Sequence, residues 1–297
     1  MPPPPVASIL IPTRGRPSYL DVALESIVPQ ARSLGAEVLV VNDGGGPAVA
    51  AVAERHGART LPAPAPGGVN VARNAGIAAA AADLIVLVDD DVQAPPGWLA
   101  ALLEGVDAAP GSDVFGGPIR ARLEGGGPRS CGREGPPITS LDLGDVDRDT
   151  KLVWSANMAL RRRALELAGP FDESISGPTA GSTVQTTARW DSRGDEEEWE
   201  RRYRARGGTI RYVAAAGLDH RRTPADSRLR TLARAAYSQG RRSRRFDVYK
   251  RTPPSLAGEL RTLAGCIWHI FRRRCLNGVI LTAHSSGRAV EAFGEMR

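Results

Sequence analysis

The sequence has few cysteines and few aromatic residues. Its 297 residues include three cysteines, Cys131, Cys266 and Cys275, and only 5% of the residues are aromatic. No C-x-x-C pair occurs, and an odd number of cysteines does not indicate a disulfide framework. The sequence therefore predicts neither a disulfide scaffold nor a zinc site, and reduced thiols in a cytoplasmic protein are expected.

Long apolar segments are also missing. The N-terminus, Met1-Pro2-Pro3-Pro4-Pro5, has no basic region and no apolar core, so it does not resemble a secretory signal peptide. Near the C-terminus the longest stretch without a charged residue is Cys275–Gly287, far shorter than the ~20 apolar residues that cross a bilayer. We expect a cytoplasmic protein, with a peripheral position at the inner face of the cell membrane left open.

Charge is unevenly distributed along the chain. From Asp226 onward there are 15 Lys+Arg and 5 Asp+Glu, a net charge of +10, so residues 1–225 carry a net charge of −4. A basic tail can meet nucleic acid, anionic lipid or an acidic partner. An acidic body is not typical of a nucleic-acid surface, so no nucleic-acid partner is expected.

Strand-like and helix-like segments alternate through the first 110 residues. Hydrophobic residues make up 42% of the chain, enough for a sizeable core. Strands are predicted at 7–12, 37–42 and 84–88, and helices at 17–31, 47–56 and 69–82. The alternation predicts a doubly wound α/β fold with a mostly parallel, Rossmann-like sheet flanked by helices. Ligands bind such sheets at the carboxyl ends of the strands.

The later part of the chain predicts a second region. Residues 125–150 and 174–194 are rich in glycine, proline or small polar residues and are expected to be loops, with a helix at 195–206 and a strand at 209–214. Leu256, Leu260, Leu263, Ile267, Ile270 and Phe271 fall on one helical face, and three arginines follow. We predict an α/β domain over 1–225 and a basic, amphipathic helical extension over 226–297.

Carboxylates follow two of the predicted strands. Asp43 closes the strand at 37–42, and Asp89, Asp90 and Asp91 follow the strand at 84–88. Like charges this close destabilise one another unless a cation offsets them, and oxygen ligands favour Mg²⁺ or Mn²⁺. The competing interpretations are a solvated acidic loop for the triplet and an ordinary turn aspartate for Asp43.

Two further sites bear titratable groups. Asp195-Glu196-Glu197-Glu198 begins a helix, where acidic residues are favoured by the helix dipole whether or not one of them acts as a general base. His220 follows a strand; a single histidine is more often structural than catalytic, but histidine is also the commonest metal ligand.

Taken together and in order, these motifs resemble family 2 glycosyltransferases, the inverting group with the GT-A fold. The resemblance covers roughly residues 7–222. Its motifs are Ile9-Leu10-Ile11-Pro12-Thr13-Arg14-Gly15-Arg16, Val40-Val41-Asn42-Asp43-Gly44-Gly45, Gly68 with Val71-Ala72-Arg73-Asn74-Ala75-Gly76, Leu87-Val88-Asp89-Asp90-Asp91, Ser155-Ala156-Asn157-Met158-Ala159-Leu160-Arg161-Arg162, Gly169-Pro170-Phe171-Asp172-Glu173, and Gly194-Asp195-Glu196 with Gly207-Gly208. The order and spacing carry the resemblance, since each motif alone is weak.

The resemblance implies a site for a nucleotide-diphosphate sugar. Asp43 would bind the base of the nucleotide, and Arg73 would lie near its diphosphate. Pro12 and Arg14 of the first motif, with Asp90, are likewise assigned to donor binding.

The resemblance also implies a divalent metal, Mg²⁺ or Mn²⁺, and a catalytic base. Asp89 and Asp91 would frame the D-x-D motif, with Asp91 the direct ligand and Asp89 nearer the ribose, and His220 would match a C-terminal metal ligand. The acidic pair that supplies the base corresponds to Asp195-Glu196. Its second member usually acts, which indicates Glu196, but the order differs from the common Glu-Asp, so Asp195 stays open.

The implied reaction is transfer with inversion to a hydroxyl of a glycan, a lipid-linked or a small-molecule acceptor, in the synthesis of cell-envelope polysaccharide or glycoconjugates. An amphipathic tail with clustered arginines suits an anionic membrane surface, although it could equally pack on the domain. The competing functions are a catalytically degenerate membrane scaffold and a sugar-phosphate nucleotidyltransferase. A dinucleotide dehydrogenase is disfavoured because no G-x-G-x-x-G follows a strand.

Overall fold

The computed structural model describes residues 3–64, 67–132, 138–176 and 195–295, and the side chains of Ser176 and Asp195 lie outside the description. The strands in this part of the chain are β1 (Ser8–Thr13), β2 (Glu37–Asn42), β3 (Arg59–Pro62), β4 (Leu84–Val88), β5 (Val92–Gln93), β6 (Val114–Gly116), β7 (Ile119–Leu123), β8 (Arg148–Thr150), β9 (Asn157–Arg161), β10 (Ile210–Tyr212) and β11 (Leu218–Arg222). The helices are α1 (Pro17–Leu34), α2 (Gly46–His56), α3 (Val69–Ala79), α4 (Trp98–Ala108), α5 (Arg162–Ala168), α6 (Glu173–Ser176), α7 (Asp195–Ala205), α8 (Leu229–Tyr249), α9 (Leu256–Arg273) and α10 (Asn277–Gly294).

An eight-stranded sheet forms the centre of the first part of the chain. Its strand order is β3-β2-β1-β4-β9-β6-β10-β8, and a smaller sheet has the order β5-β11-β7. Strands β3, β2, β1 and β4 run parallel to one another, whereas β9 is antiparallel to β4 and β6. The predicted α/β fold with a mostly parallel sheet is confirmed.

Helices cover the faces of this sheet through two apolar clusters. Ile9 and Ile11 of β1 belong to one cluster, and Leu10 between them belongs to the other. Successive side chains of a strand point to opposite faces, so a strand buried on both sides is apolar throughout. Helix α1 begins with Pro17 and ends at Gly35, whose left-handed backbone lets its N–H donate to the last turn.

The described residues divide into two compact units. The first contains residues 3–64, 67–121, 140–176 and 195–221, and the second contains 122–132, 138–139 and 222–295. The sequence-based division at residue 225 stays a prediction. Of the expected loops, 125–150 includes the short strand β8, which pairs with β10, and 177–194 lies outside the described residues.

The second unit is dominated by three helices. α8 packs closely on α10 through glycines: a Cβ on Gly240 would lie 1.9 Å from the carbonyl oxygen of His284, and one on Gly287 would lie 2.1 Å from that of Tyr237. Only glycine allows two helix backbones to approach this closely. None of the described helices combines the length and the apolar content needed to cross a bilayer.

Helix α9 exposes much of the apolar face that the sequence shows. Leu260, Ile267 and Phe271 are exposed, with Phe271 at 74%, and the neighbouring Trp268 is 66% exposed. The inward side of α9 carries Glu259, which is 3% exposed and accepts hydrogen bonds from Arg288. Among the described residues of α9, Glu259 is the one that is buried, and several apolar side chains face solvent.

Candidate functional site

The carboxyl ends of β1, β2 and β4 bring the first group of predicted residues together. The backbone N–H of Asp43, just after β2, donates to the carbonyl oxygen of Thr13 at 3.0 Å. The hydroxyl of Thr13 donates to Oδ2 of Asp90, just after β4, at 2.6 Å. Pro12 lies beside Val41 in the same sheet. Thr13, which sequence analysis did not single out, thus connects Asp43 to the aspartate triplet.

His220 reaches the triplet from a distant part of the chain. β11 pairs antiparallel with β5, and this register sets His220 opposite Val92. Its Nε2 lies 2.9 Å from Oδ1 of Asp91. One ligand atom from each of Asp89, Asp91 and His220 falls within 4.8 Å of the others. The structure therefore brings together the three residues that were predicted to hold a metal.

Arg16 lies across the same aspartates. Its Nη1 donates to Oδ2 of Asp91 at 2.8 Å, and its Nε donates to Asp90 at 3.2 Å. Arg16 belongs to the same sequence motif as Arg14, which was predicted to bind the donor and whose Nη1 lies 4.0 Å from Asp43. Both arginines occupy one short turn, so their order in the sequence could not show which one faces the triplet.

Burial disfavours charge on the triplet. It raises the pKa of Asp90 to about 6, with the neighbouring carboxylates adding to the rise and Arg16 and Thr13 opposing it. Burial, followed by the charge of Asp91, also raises the pKa of Asp89. Three carboxylates face the guanidinium groups of Arg16 and Arg73, which leaves one negative charge in excess when all are ionised.

This donor set fits a divalent cation. Two carboxylates and an imidazole are suitable ligands for Mn²⁺, and carboxylates alone suit Mg²⁺. Neighbouring ligands of an octahedral ion, about 2.1 Å from it, lie roughly 3 Å apart. The 2.9 Å between Asp91 Oδ1 and His220 Nε2 matches that spacing.

Asp43 is a buried acceptor. It is 0% exposed, and neither carboxylate oxygen has a hydrogen-bond partner of ordinary geometry among the described residues. Burial raises its pKa, against the opposing effects of Arg14 and of the backbone N–H groups of Gly67 and Gly68. A buried carboxylate with unused oxygens is costly unless a ligand donates to it.

Arg73 begins a second hydrogen-bonded chain. This buried guanidinium, on α3, donates to Ser155 Oγ at 2.6 Å, and its Cζ lies 5.6 Å from the centre of the Phe171 ring. Ser155 in turn donates to Oε1 of Glu196 at 3.3 Å. The charge of Arg73 also lowers the pKa of Asp89, against the larger effect of burial, so this guanidinium acts on the triplet and, through Ser155, is linked to Glu196.

The two candidate bases, Asp195 and Glu196, lie at the start of α7. Glu196 lies in the first turn of α7 and is 7% exposed. The side chain of Asp195 falls outside the described residues. One turn further, Glu200 is fully buried and accepts from the backbone N–H of Val153 at 3.0 Å. Burial raises the pKa of Glu200 well above its ordinary value.

Solved structures with a similar fold include glycosyltransferases. The structure of GalNAc-T7 with UDP, GalNAc and Mn²⁺ matches with a TM-score of 0.56 at 13% identity and covers 83% of this chain. The chain spans 50% of the length of that protein. A mycobacterial protein matches with a TM-score of 0.52 at 18% identity, over 80% of this chain and 74% of the other. At these identities the likeness shows the GT-A-like fold.

Sequence comparison gives the family. No curated protein sequence matches this chain. The family model described as glycosyl transferase family 2 matches residues 8–168, more than half of the 297 residues. The matched segment includes the strands that end at Asp43 and at the aspartate triplet. The chain therefore belongs to glycosyl transferase family 2.

Proposed function

We propose that this glycosyltransferase moves a sugar from a nucleotide-diphosphate donor to a hydroxyl acceptor, with inversion and with the help of a divalent metal. The observation that carries the proposal is the meeting of Asp89, Asp91 and His220 within 4.8 Å of one another. An acceptor on a glycan or a lipid-linked intermediate of the cell envelope fits the exposed apolar face of α9.

Asp43 is proposed to recognise the nucleoside. Its two buried oxygens can accept hydrogen bonds from the N–H groups of a base. Arg14, 4.0 Å away and half-exposed, is placed to face an anionic or polar part of the same ligand. Pro12, the last residue but one of β1, lies opposite Val41, two residues before Asp43.

The triplet is proposed to serve the diphosphate. Asp91, Asp89 and His220 would hold Mg²⁺ or Mn²⁺, which offsets the negative charge that develops on a departing diphosphate. Arg73 contributes a fixed positive charge close to Asp89, and its hydrogen bond to Ser155 keeps it in place. Such preorganised charges stabilise the transition state more than the ground state.

Glu196 is proposed to act as the general base. It removes the proton of the acceptor hydroxyl, whose oxygen then forms a bond to the anomeric carbon from the face opposite the leaving group. The bond from that carbon to the diphosphate oxygen breaks, and the nucleoside diphosphate leaves with the electron pair. Ser155, which donates to Glu196 at 3.3 Å, orients the carboxylate.

A pair of matched variants tests the base. Glu196→Gln should reduce kcat by 10²-fold or more and leave the donor Kd nearly unchanged, because the base acts mainly in the transition state. Glu200→Gln, another buried glutamate on the same helix, should keep near-normal turnover. Normal turnover in Glu196→Gln with a collapse in Asp195→Asn would assign the base to Asp195, and normal turnover in both would refute an acidic-pair base.

A thermal-shift and calorimetry panel tests the donor and the metal. UDP-, GDP- and dTDP-sugars are compared with and without Mn²⁺ or Mg²⁺, since a bound ligand raises the melting temperature. UDP with Mn²⁺ comes first, because the structure of GalNAc-T7 contains them. A metal-dependent shift that Asp91→Asn abolishes supports the proposal. No shift with any donor favours the scaffold function, and donor hydrolysis without acceptor excludes it.

We further propose that α9 rests on an anionic membrane surface. Its exposed side carries Leu260, Ile267, Trp268 and Phe271, and Arg261 and Arg272 beside them are exposed. Apolar side chains flanked by arginines match a bilayer with acidic headgroups, and each basic residue near such a surface contributes about 1 kcal/mol.

Liposome sedimentation of the full chain tests this surface. Trp268→Ser with Phe271→Ser should strongly reduce binding to vesicles that contain phosphatidylglycerol. Val290→Ser removes an exposed apolar residue from α10 and should have little effect. Equal binding by the double variant and the intact chain, or equal binding to zwitterionic vesicles, would refute the membrane assignment.

A further inference from the structure

A second group of metal-ligand side chains lies in the helical unit. Cys131, His269 and Cys275 each offer one ligand atom, and these atoms lie within 4.8 Å of one another. Sγ of Cys131 is 3.5 Å from Nε2 of His269. Two of the chain's three cysteines thus share one position with one of its four histidines, although Cys131 and His269 are 138 residues apart.

The spacing is that of a tetrahedral zinc site. Zinc binds thiolate sulfur at about 2.3 Å and imidazole nitrogen at about 2.0 Å, so two such ligands at a tetrahedral angle lie roughly 3.5 Å apart. The observed distance between sulfur and nitrogen has the same value. Thiolate and imidazole are the ligands that zinc prefers over the harder Mg²⁺ and Mn²⁺. Two thiolates also neutralise the charge of the ion.

The backbone holds these ligands in place without a metal. The carbonyl oxygen of Arg129 accepts from the N–H groups of Leu276 at 2.8 Å and of Asn277 at 3.3 Å, where α10 begins. The N–H of Cys131 donates to Sγ of Cys275 at 3.3 Å. These bonds fix the segment 129–131 on the junction between α9 and α10.

The junction itself has an unusual backbone. Arg274, between α9 and Cys275, adopts a left-handed conformation with φ 48°. The backbone of a residue other than glycine is strained in this left-handed conformation. Such strain persists where surrounding contacts hold the residue in place, often at ligand sites. Cys275 directly after it is 1% exposed, so its sulfur faces the interior of the unit.

We propose that Cys131, His269 and Cys275 bind one zinc ion, with a fourth position left for water. The ion would link the segment 129–131 to the end of α9 and the start of α10. This site is separate in its residues and its chemistry from the carboxylate site of Asp91. The sequence contains no C-x-x-C, so local spacing predicted no zinc site; the tertiary structure supplies the ligands from distant positions.

Metal analysis of the full chain tests the proposal. Protein purified without chelator from zinc-supplemented culture should contain about one zinc per chain. Cys131→Ser and Cys275→Ser should each lose it, and Cys266→Ser should retain it, because Sγ of Cys266 lies by Ser285 and not in the cluster. Equal zinc in all four proteins would overturn the assignment.

Cobalt substitution gives an independent measurement that needs no variant. Co²⁺ added to the reduced, metal-free chain should produce thiolate-to-cobalt charge-transfer bands and the intense visible bands of a tetrahedral ion. The site at Asp91 contains no sulfur and does not give the first of these. Absence of both band types, or a Cys131–Cys275 disulfide in the purified protein with no metal uptake after reduction, would refute the site.

Discussion

Replacement of Arg16 tests the charge balance of the donor site. In the structure this guanidinium donates to Asp91 at 2.8 Å and to Asp90 at 3.2 Å, so it offsets part of the negative charge that a metal would offset. We therefore expect Arg16 and the proposed divalent cation to compete for the same carboxylates. Arg16→Ala should bind Mn²⁺ more tightly than the intact chain, because it removes the positive charge that competes for the carboxylates.

The expected change in Mn²⁺ affinity follows from the hydrogen bond between Arg16 and Asp91. A hydrogen bond between charged groups contributes about 1.5–3 kcal/mol, and each 1.4 kcal/mol changes an equilibrium constant tenfold. If Mn²⁺ displaces the guanidinium from Oδ2 of Asp91, its Kd should fall by roughly 10- to 100-fold in Arg16→Ala. The metal-free variant should be less stable, because the carboxylates then repel one another without an internal cation.

Calorimetric titration with Mn²⁺ at about pH 8, above the pKa of about 6 of Asp90, measures the change. Melting curves should show a lower melting temperature without metal and a larger increase with it. Arg14→Ala serves as the matched control, since Arg14 faces Asp43 and not the triplet. Unchanged or weaker Mn²⁺ binding in Arg16→Ala would refute the competition and show that Arg16 positions Asp91 for the metal.

Three further predictions concern buried carboxyl groups. Burial raises the pKa of Asp90 from its ordinary value of 3.8 to about 6. The folded, metal-free chain therefore gains its full stability from the protonated Asp90 below about pH 3.8, and it loses this stability as the pH rises through about 6. Mn²⁺ affinity should change in the opposite sense and increase as the pH rises through about 6, as titration calorimetry at several pH values will show. Asp43→Asn should raise the melting temperature of the ligand-free chain and weaken nucleotide binding, and a lower melting temperature would contradict the buried, unsatisfied carboxylate. Glu259→Gln should lower the free energy of unfolding, measured in urea, by about 3 kcal/mol, because Glu259 is buried with its arginines. Glu291→Gln, in a more exposed ion pair, should lower it by less than about 1 kcal/mol. Equal losses in the two variants would disprove the link between burial and the size of the loss.

Three parallel strands of the sheet, β1, β2 and β4, were predictable because they are largely apolar. Ser8–Thr13, Glu37–Asn42 and Leu84–Val88 coincide with predicted strands to within one residue, since period and turn residues there agree. Helix α8, Leu229–Tyr249, lies within the predicted helical extension, but its bounds were not predicted. Its buried side includes the small residues Ala236 and Gly240 and the ion-paired Arg244, which hydrophobic periodicity does not reveal.

The carboxylates of the candidate site were predictable because they follow strand ends. The hydrogen-bond partners were not, since each pairing spans a long stretch of chain. Thr13 and Asp90 are 77 residues apart, and Ser155 and Glu196 are 41 residues apart. Local spacing carries no information on such pairs, and only the sheet order places them side by side. The roles assigned to these residues stay predictions until the variants above are measured.

Helix α9 shows why amphipathicity alone does not give orientation. Its sequence has an apolar face that could turn inward or outward, and hydrophobic burial alone favours inward. In the structure Leu260, Ile267 and Phe271 of this face are exposed, while Arg244 and Arg288 of the neighbouring helices meet Glu259 in the interior. Removing one partner of such a buried group leaves an uncompensated charge, so the ion pairs fix the orientation. Trp268 and Phe271 are then exposed to water. Burying either side chain would gain about 1.5–3 kcal/mol of free energy. That gain would be available at the proposed membrane surface, and the arginines beside the aromatic residues would favour an anionic one.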